Sequence, residues 1–447
     1  MEYGRFGSGL RGWGSSWVEE KRLSTYAVFS LFSYLVMHPV FKNTYVFTAI
    51  GAIVLGALLY GGKQYLAARE LARLEENRIE GGWYETPVSF EGAWHLVPPG
   101  EIYSSGIEEG DIPALTQPNL MSVDEADDVI ADDLGGIAVE IQGKHRFYPV
   151  QIMNWHEVVH DTIGGESVLV YYGPLTGAAA VYRLPENMRF VVSGRGYNND
   201  ILLKQEGTET LWSGILGMPV VSSREADLDA SLERLPSSFM TWKEWRDAHP
   251  DGTVLSTDTG HARDYTRHPY GNYENSVGVY FPVNRTTYSV RAKEPAYLVQ
   301  SEGAFGVFVK TATILDETPS VLLGDACIVG LHEASGSQIF LYSCEVNGRT
   351  LTFRRVEPGV FTDEETGSRW NASGRAVSGE LTGAQLTVVP SVRLYSFIAD
   401  ALFPQAVIAG EEFVLPQTLS EDEISSADNA PVIEGENVDG ATVEVVQ

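Results

Sequence analysis

Gly136–Tyr182, GIAVEIQGKHRFYPVQIMNWHEVVHDTIGGESVLVYYGPLTGAAAVY, is the stretch that decides the fold. Short apolar runs alternate with Gly-, Asn- and Asp-containing breaks, which is the pattern of β-strands joined by tight turns. Gly136–Ile141, His145–Val150, Ser167–Tyr172 and Ala178–Tyr182 read as strands, and Arg189–Val192 continues the series. Between them Gln151–Asp161 (QIMNWHEVVHD) reads as one short helix, stopped by Gly164-Gly165. The fold class expected is α+β, mainly β.

Working outward, the C-terminal side repeats itself. Leu232-Glu-Arg-Leu-Pro236, an aromatic-rich segment and His249-Pro250 return as Leu386-Thr-Val-Val-Pro390, another aromatic-rich segment and Phe403-Pro404. Upstream, Thr208–Trp212 is echoed by Thr366–Trp370, each followed by a turn, Gly217-Met-Pro-Val220 and Gly374-Arg-Ala-Val377. An internally duplicated soluble domain is expected, with halves at 81–285 and 286–410 and an acidic, flexible tail at 411–447.

On the N-terminal side the composition changes. Thr25–Phe41 and Thr44–Tyr60 carry no formal charge, and the second run continues through Gly62. Each is near the lower limit of about 17 residues for crossing a bilayer. Residues 1–80 therefore read as a membrane anchor: a transmembrane helical hairpin with spans at about 25–41 and 44–62, then a helical stalk, Lys63–Arg78. Pro39 ends the first helix because it lacks an N–H and clashes with the preceding turn. Lys and Arg flank the spans on the side shared with the domain, which by the positive-inside rule places it in the cytoplasm. Two sequons, Asn284-Arg-Thr286 and Asn371-Ala-Ser373, lean the other way. The cell membrane is the expected location, with the side open. Membrane lipid is the expected partner, with another membrane protein or a second copy of the chain as further candidates.

The 447 residues include 60 Asp and Glu against 31 Lys and Arg, a formal net charge of -29, and only 8 of the basic residues are Lys. Such a field repels phosphate backbones, so nucleic acid is excluded as a partner. An acidic, Lys-poor surface stays hydrated in very high salt, where the Debye length falls to about 3 Å. A halophilic source and a domain that loosens at low salt are expected. The two cysteines, Cys327 and Cys344, exclude a four-Cys zinc site and read as two buried thiols flanking a hairpin turned at Glu333–Ser337.

Asp111–Leu115, Tyr148-Pro149, Asn154-Trp-His-Glu157, Asp161-Thr162, Ser193-Gly194, Tyr197-Asn198, Asp200, Leu211–Ser213, Trp242, Trp245, Asp258–Gly260 and Arg263–Tyr265 resemble, in order, domain of unknown function 3179. The resemblance spans residues 102–404. It implies exported or membrane-attached proteins without an established activity. It also implies a Cys-Pro-x-Cys signature after the strand that follows the helix. Here Gly173 and Thr176 stand at the two thiol positions. Glycine has no side chain and a threonine hydroxyl does not ionise at neutral pH, so thiol chemistry is lost. Both are expected at the surface of a cleft near His156.

His156-Glu157-Val-Val-His160 matches H-E-x-x-H, in which two imidazoles one helical turn apart hold zinc and the Glu activates water. Position 163 is Ile where an extended zinc motif needs Gly, and no third ligand follows on a second helix. The expectation is structural: Trp155 in the core, with Asn154, His156, Glu157, His160 and Asp161 bonding neighbouring loops. The alternative is a metal-binding protein or zinc-dependent hydrolase centred on His156, Glu157 and His160, with Asp161 or His145 as a further ligand. The loop His261–Tyr273 supplies a candidate binding surface, Arg263, Asp264, Tyr265 and Tyr270, with Arg263 and Asp264 read as a bidentate pair. No catalytic residue or cofactor is assigned. The function expected is a non-catalytic, membrane-tethered binding or assembly module.

Overall fold

The computed structural model describes residues 51–63, 65, 69, 76–79, 81–284, 292–301, 303–310, 313, 318–333 and 338–409. The first expected span, the turn after it, the start of the second span and the C-terminal tail lie outside these residues. Contacts divide the chain into two units, 1–76 and 77–447. In the first, residues 51–63 are helical, and Ile53, Leu55, Leu58 and Leu59 are exposed. Among the described residues no helix is long and apolar enough to cross a membrane.

The second unit is mainly β. Its early part runs β1 (Gly135–Ile141), β2 (Lys144–Pro149), α1 (Val150–His156), β3 (Val158–Ile163), β4 (Glu166–Gly173) and β5 (Ala178–Arg183). A meander follows: β6 (Phe190–Tyr197), β7 (Asp200–Gln205), β8 (Leu211–Ser213) and β9 (Met218–Ser222). Then come β10 (Arg234–Leu235), β11 (Ser238–Thr241), α2 (Trp242–Ala248) and β12 (Thr253–Leu255). Every strand expected from the sequence is present. The helix is shorter than expected. Glu157, at φ 58° and ψ −32°, ends it, and the β-branched run from Val158 pairs with β4 instead.

The same succession recurs downstream. It runs β13 (Pro295–Ser301), β14 (Ala304–Val309), β15 (Ser320–Leu323), β16 (Ala326–His332) and β17 (Ile339–Ser343). The meander is β18 (Phe353–Glu357), β19 (Val360–Asp363), β20 (Arg369–Asn371) and β21 (Ala376–Ser378). β22 (Val392–Tyr395), α3 (Ser396–Leu402) and β23 (Val407–Ile408) close it.

Register agrees residue by residue. Ala138 pairs with Phe147 and Ser238; Leu298 pairs with Val307 and Val392. A bulge precedes Trp212 on β8 and Trp370 on β20, and each indole packs edge-on against a phenylalanine, Phe190 or Phe353. The backbone N–H of Leu232 donates to Gly217 O, and that of Leu386 to Gly374 O, both at 2.8 Å. Those two glycines have positive φ and lie under the rings of Tyr182 and Tyr342, where a Cβ has no room. The residues ending α2 and α3 share one conformation: His249 at −133°, 61° and Phe403 at −134°, 55°.

The two parts share a sheet. β22 pairs with β5 through Ala179 and Arg393, and the order across it is β23-β14-β13-β22-β5-β4-β3 before the short strand Leu115–Thr116. The largest apolar cluster joins Tyr171, Tyr182 and Trp212 to Leu298, Val392 and Leu394. Burying such side chains contributes roughly 1.5–3 kcal/mol each, so this seam is a main source of cohesion.

Cys327 and Cys344 form a disulfide across the β16–β17 hairpin, with Cα atoms 5.3 Å apart; this corrects the expectation of two free thiols. The antiparallel register brings the two Cβ atoms together, which the length of the turn alone does not reveal.

Candidate functional site

α1 and the turn after it lie beneath a long segment, residues 256–284, whose one regular element is the short 3-10 turn Tyr273–Asn275. This strap reaches inward with tyrosine hydroxyls. His156, wholly buried at the end of α1, has Nδ1 2.7 Å from Pro113 O and Nε2 2.7 Å from the Tyr265 hydroxyl. A carbonyl only accepts, so Nδ1 carries the proton and Tyr265 donates to Nε2, itself accepting from the Thr259 hydroxyl. Burial, with Arg263 and His261 nearby, pushes the imidazole pKa down to about 4, so the ring is neutral.

Glu157 is 1% exposed. Its Oε1 accepts from the Tyr270 hydroxyl at 2.6 Å, and its Oε2 is buried without a partner. Burial raises its pKa to about 7; the Tyr270 bond opposes the rise and Asp200 adds to it. A non-glycine residue held at positive φ with a buried carboxyl is a strained position, the kind that concentrates at functional sites.

His160 is on β3, not on the helix. Its Nε2 accepts from the backbone N–H of Phe190 at 3.0 Å, and burial, aided by Arg189, pushes it down to about 4. Asp161 accepts from the Tyr148 hydroxyl at 2.7 Å and pairs with Arg146, which also donates to Thr253 Oγ1 at 2.8 Å. That buried pair ties β2, β3 and β12 together. Asn154 is buried with its Oδ1 unpartnered. His145 stacks on His249 with ring centroids 4.0 Å apart, remote in role from the motif.

Gly173 and Thr176 lie near Glu157, since the backbone N–H of Tyr172 donates to Glu157 O at 2.8 Å. They are buried rather than at a surface, which corrects that expectation. An added Cβ on Gly173 would lie 2.5 Å from Thr176 Oγ1 and 2.6 Å from the Tyr171 hydroxyl. Tyr171 donates to Asp200 Oδ1 at 2.5 Å, and Ser213 donates to Asp200 Oδ2 at 3.3 Å. Burial raises Asp200 to about 7, with both hydroxyl bonds opposing. The loop is clamped from the other part of the chain: the backbone N–H of Tyr395 donates to Thr176 O at 2.7 Å and Arg393 to Gly177 O at 2.6 Å.

The rest of the strap is pinned in the same way. Tyr273 donates to Leu175 O at 2.9 Å and accepts from Asn199 at 3.0 Å. Lys293 Nζ lies 3.4 Å over the Tyr273 ring and donates to Tyr273 O, Ser276 Oγ and Gly278 O. Arg263 and Asp264 do not pair: Arg263 reaches Asp111 O and the Trp155 ring, and Asp264 accepts from Thr266. Trp155 is half-buried under the strap, donating to Arg267 O, rather than in the core. Four residues that hold this centre, Tyr171, Asp200, Tyr273 and Lys293, were not among the expected site residues. Asp200 entered the sequence reading only through the family resemblance; the local signal is the Asn198-Asn199 turn, both at positive φ, which precedes Asp200.

Tyr270→Phe leaves Glu157 with neither oxygen bonded to a donor. The expected result is a loss of about 1–3 kcal/mol and faster proteolysis within residues 256–284. An unchanged urea midpoint with unchanged cleavage would show that this bond does not hold the strap.

Fold and site define a mainly-β protein whose His156-Glu157 motif is sealed inside by a tyrosine strap. The chain belongs to the family described as protein of unknown function (DUF3179), whose model matches residues 109–406. No curated protein and no solved structure matches it. Among the described residues no group of three His, Cys, Asp or Glu is arranged to hold a metal ion.

Proposed function

We propose that this chain is a non-catalytic, membrane-tethered module for binding or assembly, a degenerate member of its family built by internal duplication. One observation carries the non-catalytic part. His156, Glu157 and Asp161 are bonded to the protein's own backbone, tyrosines and arginine, and the two thiol positions are occupied by Gly173 and a buried Thr176. The matched registers and the shared conformations at Trp212 and Trp370 support the duplication. The exposed apolar face of residues 51–63 supports the tether, in keeping with the uncharged runs around it.

A groove of about 530 Å³ crosses the sheet that carries the first meander. Phe90, His95, Arg195 and Lys204 line it, with Glu109 and Glu209 bonded to Lys204. It is the place to look for a ligand outside the sealed motif. The metal-dependent reading is less well supported, because α1 ends at His156 and puts the two imidazoles on different elements.

Membrane flotation tests the tether. The full chain should float with vesicles, and deletion of residues 1–63 should leave a folded domain that does not. A hydrolase screen tests the rest: an activity abolished by Glu157→Gln would overturn the proposal.

A further inference from the structure

The two sequons differ in what their asparagines do. Asn284 Nδ2 donates to Gly81 O at 3.2 Å and to the Tyr197 hydroxyl at 2.9 Å, while its backbone N–H donates to Asn198 Oδ1 at 2.6 Å. Its amide nitrogen is part of the fold's internal bonding. Asn371 is arranged the opposite way. It ends β20 and opens the turn to β21, where Gly374 N–H donates to Asn371 O at 3.0 Å. Its Oδ1 accepts from the Arg375 backbone N–H at 2.9 Å and from the Ser373 hydroxyl at 2.8 Å. The side-chain amide is therefore oriented by its oxygen, its nitrogen makes no hydrogen bond among the described residues, and Ser373 is exposed. A sequon that carries a glycan in the folded protein has a surface turn and a hydroxyl two residues on, and Asn371 also keeps its Nδ2 out of the fold's internal bonding.

The second observation is independent. The chain's two cysteines are joined to each other, 17 residues apart in sequence, and the described residues hold no free cysteine. Disulfides persist in oxidising compartments, which are also where sequons meet saccharide donors.

We propose that Asn371, and not Asn284, is an N-glycan acceptor on a domain that matures in an oxidising compartment. In the transfer, Asn371 Nδ2 attacks the anomeric carbon of a lipid-phosphate-linked oligosaccharide. The C–N bond forms, the anomeric C–O bond to phosphate breaks, the lipid phosphate leaves, and one Nδ2 proton is released to base. This places the domain opposite to the side that the flanking Lys and Arg indicate. The cation count near the spans is a statistical bias on insertion, whereas a disulfide requires exposure to oxidant.

The test uses the full chain purified from membranes of its own cells, with thiols blocked by N-ethylmaleimide before lysis. Trypsin releases Trp370–Arg375, since Arg369 and Arg375 flank the sequon. The expected result is that peptide carrying a saccharide mass, the Asn284 peptide bare, and Cys327 and Cys344 alkylated only after reduction. Ser373→Ala should return Trp370–Arg375 to its bare mass while leaving Asn371 and the turn in place. A bare Trp370–Arg375 in most of the wild-type protein overturns the assignment, whatever the thiols do. Cysteines alkylated without reduction overturn the compartment.

Discussion

Glu157→Gln makes the protein more stable at pH 8 and leaves it nearly unchanged at pH 4.5. The carboxyl is wholly inside, with a folded pKa of about 7 against an ordinary value of 4.5. Between those values the folded state holds a proton that the unfolded state has released. Stability from this group is therefore full below about pH 4.5 and is lost as pH rises towards 7. Above pH 7 the cost reaches at most about 3 kcal/mol, from about 1.4 kcal/mol per pH decade. Glutamine keeps an oxygen for the Tyr270 hydroxyl and never ionises, so it removes the cost. Urea unfolding at constant salt, from pH 4.5 to 8.5, reads the difference. Asp200, with an ordinary value of 3.8, is also raised to about 7, so the variant retains a shallower decline of the same sign. Equal stability of the two proteins at pH 8 would mean that the Glu157 carboxyl finds a counter-charge or solvent and is not held neutral.

Placing cysteines at positions 173 and 176, where the family resemblance implies them, destabilises this chain. Gly173→Cys combined with Thr176→Cys puts a Cβ where the Tyr171 hydroxyl stands and a sulfur where a hydroxyl donates to Gly173 O. Overpacking of this kind costs about 1–3 kcal/mol. Tyr171→Phe in the same background removes the obstructing oxygen and recovers part of the loss, the remainder reflecting the donor that Asp200 then lacks. The non-additivity of a double-mutant cycle isolates that contact. If the two-cysteine variant has a stability within about 0.5 kcal/mol of wild type, Tyr171 does not obstruct a side chain at position 173.

The strand pattern was legible because strands buried on both faces write short apolar runs bounded by turn residues into the sequence, and all five expected strands are found, the fifth extended to Tyr197. The recurrence was legible for a related reason. Pro236 and Pro250 stand 14 residues apart, as do Pro390 and Pro404, and Trp212 and Trp370 each follow a bulge, so markers of this kind stand out in the sequence. The helix boundary was not legible. Through Asp161 the apolar pattern suits a helix as well as a strand, and the break at Glu157 depends on the Val158–Tyr171 pairing, which joins residues 13 apart.

The site divides along the same line. His156, Glu157 and Asp161 could be named in advance because they are chemically capable and closely spaced. What each does depended on partners far away in sequence: Pro113, Tyr265 and Tyr270 for the motif, and Tyr395 and Arg393 for the thiol loop. By itself the sequence determined a mainly-β, acidic chain of recurring pattern, since composition, period and residue identity are local properties. Only the tertiary structure decided that the motif is sealed under a strap, that Arg263 and Asp264 part company, and that the two cysteines are joined. Each of those is a matter of which distant groups arrive within about 3 Å of one another, and hydrogen-bond and disulfide chemistry acts only at that range.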